Sequence, residues 1–297
     1  MFDFEMMSNQ VCDGSGFIAA LDQSGGSTPK ALKLYGVAPE DYSDEAEMFA
    51  EMQKMRARIM TAPCFSSQKV IGAILFEKTL GERVEGMAVP QYIWEKRGVV
   101  PFLKIDKGLE DRADDVQVMK PIPGLADTLN AARAQGIFGT KERSVIHEAN
   151  AVGIANVVAN QFDVAEAVMA ADMVPVIEPE ISILSETKAA AEDMLAEALL
   201  ARVNQLEAGQ NVMLKLTIPE VTGRYDVLAD HPNVLRVVAL SGGYSTQEAC
   251  ERLAKQPKMI ASFSRALTEG LQRSQDDQAF KAALGSNVDS IYVASAA

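Results

Sequence analysis

Eight short runs of β-branched and apolar residues, separated by longer amphipathic stretches, constrain this sequence more than any other feature. They are GFIAAL (16–21), IGAILF (71–76), VVPFLKI (99–105), IFGTKERSVI (137–146), MVPVIEP (173–179), VMLKLTI (212–218), VLRVVAL (234–240) and MIASFS (259–264). Several are continuously apolar, as parallel strands are when both faces are covered. Helical periodicity fills the intervals. EAEMFAEMQKMRARIM spans 45–60 with Ser43 upstream, and LADTLNAARA is broken at Gly136. TKAAAEDMLAEALLARVNQLEAG spans 187–209, with Ser185 as cap and Gly209 as stop. Ser245 and Glu248 have capping-box spacing, Pro257 closes that helix, and 265–284 reads as terminal helical material. There is no linker, repeat or low-complexity segment. The pattern predicts an α/β fold: a single-domain (β/α)8 barrel over 1–297 with a short N-terminal extension and a C-terminal helical tail. A doubly wound sheet is the alternative. It would more often place GxGxxG after the first strand, whereas GSGF at 14–17 precedes it.

Composition narrows the function. The net charge of −13 argues against a nucleic-acid binder, which needs a basic surface, but leaves room for a local basic pocket. Cys12, Cys64 and Cys250 are odd in number, far apart and without CxxC spacing, which fits free thiols in a reducing compartment. The opening MFDFEMMSNQ has two acids and no base, unlike a signal peptide, and no apolar run approaches the ~20 residues of a membrane span. A cytoplasmic location is expected. With only His147 and His231, a histidine-rich metal site is close to excluded. No metal or cofactor is expected, so acid–base chemistry falls to Lys, Glu, Asp or Tyr. The 14 methionines and the aromatics read as core, Trp94 as packing on a helix, Cys64 as a small buried residue and His231 as a loop residue.

In a barrel of this kind the active site forms at the C-terminal ends of the strands. Here those ends are charged or phosphate-friendly: Asp22, Lys104 with Asp106, Lys141 with Arg143, Glu178 with Glu180, Lys215, Ser241-Gly242-Gly243 and Arg265. Lys215 either lays its stem along the barrel wall or points inward beside a second cation such as Lys141. In the second case desolvation and like charge lower its pKa, and a neutral amine can attack a carbonyl. The resulting Schiff base is an electron sink that needs no metal. Glu178 and Glu180, two apart, face the same way. They are either salt-bridge partners of Lys141 and Arg143, or one is a general acid/base raised by its fellow carboxylate. Asp22 alone reads as a turn residue. The Gly-rich segments at 241–243 and 24–27 are either turns or phosphate cradles. Two cradles with Lys104, Arg143 and Arg265 suit a substrate phosphorylated at both ends.

The segments GFIAALDQSGGSTPKAL, IGAILFEKTL, PFLKIDKGL, VPVIEPEI, VMLKLTIPE, VVALSGGYSTQEA and ASFSRAL, in this order, resemble class I fructose-bisphosphate aldolase in its compact bacterial form. The resemblance runs from about Gly16 to Gly270. It implies a (β/α)8 barrel that reversibly cleaves fructose 1,6-bisphosphate to dihydroxyacetone phosphate and glyceraldehyde 3-phosphate in glycolysis and gluconeogenesis. It implies Lys215 as the Schiff-base former, Glu178 as general acid/base, Glu180 as a supporting carboxylate, and Asp22 holding Lys215 and substrate hydroxyls. Lys141 and Arg143 would be the lysine and arginine of the fourth strand, and Lys104 the lysine of the third. Ser241, Gly242 and Arg265 would grip the phosphate of the ketone half, with Ser27 near the other phosphate. Animal members carry an arginine after the lysine that follows SGGS, where this chain has Lys30-Ala31, and they end in a tail tyrosine where this chain has IYVASAA. The implied partner is a small phosphosugar, with no nucleic acid and no membrane; a homo-oligomer is compatible with the sequence. Another Schiff-base phosphosugar lyase of transaldolase type, or a non-catalytic sugar-phosphate-binding barrel, is the alternative.

Overall fold

The computed structural model describes residues 2–296. All eight apolar runs are strands: β1 Phe17–Leu21, β2 Val70–Phe76, β3 Val100–Lys104, β4 Gly139–Ile146, β5 Val174–Ile181, β6 Val212–Thr217, β7 Val234–Leu240 and β8 Met259–Ala261. They pair in parallel and in chain order from β1 to β8. A sequential order without reversal is that of a barrel and removes the doubly wound alternative. Between β8 and β1 the Ala20 N–H donates to the Phe263 carbonyl at 3.4 Å, so the barrel is nearly closed.

Two strands fall two or more residues short of their apolar runs at one end. Gly136, at φ +84°, turns the chain, and β4 begins only at Gly139. MIASFS leaves the sheet after Ala261 and bends toward the cavity described below. The helices are α1 Phe4–Asp13, α2 Ser27–Leu34, α3 Glu45–Thr61, α4 Val89–Arg97, α5 Leu125–Ala134, α6 Ala151–Ala170, α7 Lys188–Val203, α8 Asp226–Ala229, α9 Thr246–Leu253, α10 Arg265–Thr268 and α11 Asp277–Ser295.

Three caps differ from expectation. Asp44, not Ser43, caps α3, because its carboxylate accepts the Glu47 N–H at 2.8 Å. Ser43 instead donates to the Glu47 carboxylate. Helix α7 ends well before Gly209, and Ser185 is drawn away to the Glu148 carboxylate at 2.7 Å. Of the α9 capping box only half forms: Ser245 accepts the Glu248 N–H, while the Glu248 side chain turns to Arg252.

One apolar layer lies between strands and helices, and a second fills the barrel bore. The bore layer takes Val100 and Phe102 from β3, Val176 from β5, Met213 from β6 and Val238 from β7. Helix α1 plugs the N-terminal end with Met7 and Val11, fully buried. The Gln10 side chain donates to the Ile71 and Gly98 carbonyls at 2.7 and 2.6 Å, and Arg236 donates to the Val11 and Gly14 carbonyls at 2.9 Å each. The plug closes this end of the bore and leaves the charged strand ends at the opposite one. None of the described helices is long and apolar enough to cross a membrane.

Candidate active site

Strand periodicity places the site. Side chains two apart share a face, so the bore position after Phe102 is Lys104, after Val176 are Glu178 and Glu180, and after Met213 is Lys215. On β4 the inward series is Gly139, Lys141, Arg143, in register with Val174, Val176 and Glu178 of β5. Gly139 is required there, since a Cβ would meet the Val174 carbonyl at 2.2 Å and the Phe102 ring at 3.1 Å. Each of these strands therefore changes from apolar to charged at one level of the bore.

At that level Glu178 bridges two ammonium groups. Its Oε2 lies 2.7 Å from Lys141 Nζ and its Oε1 lies 3.1 Å from Lys215 Nζ. Lys141 also reaches Asp22 Oδ2 at 2.9 Å. Lys141, Glu178 and Lys215 are each at most 4% exposed. Burial alone would push the Glu178 carboxyl up, but the Lys141 and Lys215 charges outweigh it and hold it below the usual range. Asp22 is held low in the same way, against its own burial, by Lys141, Lys215 and Lys104. Burial opposes the charge on Lys141, yet Asp22 and Glu178 raise its pKa. Of the two readings of this pair the salt-bridge one holds: Glu178 meets Lys141 and the Glu180 carboxylate is turned to Arg143, so Glu178 is not raised by its fellow. One reading is corrected. Asp22 holds Lys141 rather than Lys215.

The β5–β6 seam opens beside Lys215. The ladder ends at Ile177 and Leu214, two residues before Pro179, which has no N–H to donate. Thr217 recloses it, donating to the Ile181 carbonyl at 2.7 Å and accepting the Ile181 N–H at 2.9 Å. Lys215 thus sits in a gap with fixed edges.

A cavity of about 900 Å³ opens above this cluster. Asp22, Ser27, Lys104, Lys141, Arg143, Glu180 and Arg265 line it; Lys215 and Glu178 are outside the lining and join it through the Glu178 contact to Lys141. Its cations are Lys30, Lys104, Lys107, Lys141, Arg143 and Arg265, against Asp22, Glu77, Asp106 and Glu180. The excess of positive charge contrasts with the net −13 of the chain and matches the expected basic pocket. Lys104 is steadied by Asp106 at 2.6 Å. Ser241, Gly242 and Gly243 lie outside the lining, on the Arg265 side: a Cβ on Gly243 would come within 3.7 Å of the Arg265 guanidinium. At φ +60°, with Ile183 2.7 Å from where its Cβ would stand, Gly242 admits no side chain. The Ser27 hydroxyl donates to the Ser24 carbonyl at 2.8 Å and accepts its N–H at 3.0 Å, building the turn before α2. Ala31 is part of the wall. Tyr292 packs on the outer core layer, under Lys69, and does not line the cavity.

The family profile described as "Fructose-bisphosphate aldolase class-I" matches residues 4–223. The protein named "Fructose-bisphosphate aldolase class 1" of Synechocystis sp. is 52% identical over 280 residues, covering 94% of this chain and 93% of the relative. Its namesake in Porphyromonas gingivalis is 48% identical over 286 residues, covering 96% and 97%. The chain belongs to the class I fructose-bisphosphate aldolases. A solved structure of fructose-bisphosphate aldolase from Plasmodium falciparum, in ternary complex with TRAP and a small-molecule inhibitor, matches with a TM-score of 0.78. At 20% identity, over 99% of this chain and 94% of that one, it supports the barrel fold of this aldolase.

Sequence reading missed several residues around the aldolase site. Lys30 of α2 and Lys107 of the loop after β3 line the cavity from places where lysine is too common to stand out. Glu142 is the clearest omission, because it interrupts IFGTKERSVI between Lys141 and Arg143. It faces α6, not the bore, and is fully buried. Thr140 donates to its Oε2 at 3.1 Å. Gln161 of α6 donates to the Ser144 hydroxyl at 2.9 Å and to the Glu142 carbonyl at 3.3 Å, lacing β4 to α6 behind Lys141.

Burial pushes the Glu142 carboxyl up to about 8, against the Thr140 hydrogen bond. The folded protein then keeps a proton that the unfolded chain releases above about pH 4.3. Its contribution to stability is complete below that pH and falls as pH rises toward 8, where the folded-state carboxyl ionises. Glu142→Gln should lose less stability than the parent between about pH 5 and pH 8.5, by a few kcal/mol. Urea denaturation of both proteins at the two pH values tests this; parallel losses would contradict it.

Proposed function

We propose that this aldolase reversibly cleaves fructose 1,6-bisphosphate to dihydroxyacetone phosphate and glyceraldehyde 3-phosphate through a Schiff base on Lys215. The observation that carries the reading is the single carboxylate of Glu178 held between two buried ammonium groups, one of which, Lys141, lines a basic cavity. An acceptor kept ionised by its neighbours can take a proton from Lys215 and return it within the same site. The freed amine adds to the C2 carbonyl of the substrate. The carbinolamine leaves its oxygen as water, with the proton supplied by Glu178, and an iminium remains. Glu178 then takes the C4 hydroxyl proton, directly or through Lys141. The C3–C4 bond breaks, its electron pair passes into the iminium to form an enamine, and the aldehyde half departs. Protonation at C3 and hydrolysis of the iminium return Lys215 and release the ketone half.

Asp22 fixes the Lys141 ammonium and faces the substrate hydroxyls. Glu180 fixes Arg143. The Ser241-Gly242-Gly243 backbone and Arg265 take the phosphate of the ketone half, while Lys104 and Arg143, with Ser27 at the turn, serve the other. The activity belongs in the cytoplasm, in glycolysis and gluconeogenesis. It is carried by one barrel domain spanning the chain, as a monomer or homo-oligomer, with a phosphosugar as partner and no nucleic acid or membrane.

Cleavage of fructose 1,6-bisphosphate should proceed undiminished after dialysis against EDTA and exceed cleavage of fructose 1-phosphate. Loss of activity with EDTA would contradict the lysine mechanism, and equal rates on the two sugars would contradict a second phosphate site. Binding without turnover would favour a non-catalytic sugar-phosphate barrel.

A further inference from the structure

The seam between β8 and β1 is where backbone pairing is weakest, and the loops leaving those two strands carry Asp22 and Arg265. A side-chain bridge crosses it. Gln23 Nε2 donates to Ser264 Oγ at 2.8 Å, tying the residue after Asp22 to the residue before Arg265. Behind the bridge stands Arg56 of α3. Its Nη2 donates to the Gln23 carbonyl at 2.6 Å and its Nη1 to Thr79 Oγ1 at 3.2 Å. The guanidinium carbon lies 5.8 Å from the centroid of the Phe76 ring.

Arg56 is 2% exposed, and its Nε–H has no hydrogen-bond partner among the described residues. The carboxylate whose field reaches it is Asp22. A buried cation held by a carbonyl and a hydroxyl carries a desolvation cost that a neutral side chain of similar volume would avoid. In the two helices next in the chain, the Thr28 hydroxyl of α2 and both Gln53 amide atoms of α3 are buried without hydrogen-bond partners among the described residues. Arg56 thus holds the loop after β1 from behind, at the Gln23 carbonyl, while Lys141 holds Asp22 from the bore.

We propose that Arg56 is a positioning residue: acting through Gln23 and the Gln23–Ser264 bridge, it sets the spacing across the open seam between Asp22 and Arg265, so that one substrate meets both. The proposal rests on the reading that Arg265 takes the phosphate of the ketone half. If the spacing is set this way, Arg56 matters most to a substrate that spans the seam, and less to one that engages only the Lys215 side.

The test compares borohydride trapping of dihydroxyacetone phosphate with that of dihydroxyacetone, which lacks the phosphate, in the full chain. A purely structural defect lowers the active fraction and slows both ketones alike, leaving the ratio of rates unchanged. In Arg56→Met the ratio should fall by about tenfold, since displacements of an ångström can cost as much as 10²-fold. Arg56→Lys, which keeps the charge but not the forked pair of donors, should restore part of it. Ser264→Ala, which removes the far end of the bridge without touching the buried cation, should lower the ratio in the same direction and serves if Arg56→Met does not fold. An unchanged ratio in folded Arg56→Met, or in Ser264→Ala, overturns the proposal while leaving the activity standing. Absence of trapping in the parent overturns the activity and the proposal together.

Discussion

Lys215→Met should lower cleavage by roughly 10⁴-fold or more, as loss of a covalent nucleophile does, while the protein stays folded. Both halves follow from the surroundings of the amine. Lys215 lies one inward position above Met213 in the bore and is 4% exposed, so methionine fits the volume and adds apolar contact. Glu178 is not orphaned, because Lys141 remains on its other oxygen at 2.7 Å. The charge left behind is therefore still paired, and a severe loss of stability is not expected. Steady-state cleavage of fructose 1,6-bisphosphate, with thermal melts of both proteins, checks the two halves. Appreciable activity in a folded Lys215→Met would remove the Schiff base from the mechanism.

Glu178→Gln should have the next largest effect, lowering kcat by about 10²- to 10⁴-fold, the range for loss of a general acid/base. The glutamine keeps the shape but can neither accept the proton of Lys215 nor that of the C4 hydroxyl. It also leaves two buried ammonium groups without the anion between them, Lys141 retaining only Asp22 at 2.9 Å. The pH dependence has a definite sign. Glu178 and Asp22 are both held below their usual range in the folded state. Their contribution to stability is complete above the unfolded carboxyl values of about 4 and is lost as pH falls through the lower folded values. In the parent, protonation of Glu178 should not set a limb of the kcat/KM profile near neutrality, and acid should destabilise the parent more than Glu178→Gln. A profile of kcat/KM and urea denaturation between about pH 3 and pH 8 tests this; a limb near pH 6 that disappears in Glu178→Gln would show Glu178 raised rather than lowered.

The barrel was legible because nearly every strand announced itself twice, by an apolar run and by a charged or phosphate-friendly residue at its C-terminal end. Both signals come from the same physics: a bore apolar at the α1 end and polar at the other makes the inward series of β3, β4, β5 and β6 change character at one level. What was not legible is pairing. For Glu178 and Glu180, two apart on one strand, the sequence left open a carboxylate pair acting on each other and salt bridges to Lys141 and Arg143; the second is what forms, each carboxylate having its own cation on the neighbouring strand. Register between strands decides this, and one sequence does not display it. Glu142 was passed over because alternation sends it to the other face of β4, where burial rather than substrate defines its state. Arg56 was hidden for a similar reason: in EAEMFAEMQKMRARIM it reads as one more charge on an amphipathic helix, and only the packing of α3 behind the loop after β1 shows it to be buried.

The most direct test of the account is to incubate the parent protein with dihydroxyacetone phosphate in EDTA, reduce with borohydride, and map the adduct by peptide mass spectrometry. A reduced triose phosphate on the Lys215 ε-nitrogen, with matching loss of activity, is the expected result. An adduct on Lys141 or Lys104 instead, or no adduct while cleavage continues, would contradict it.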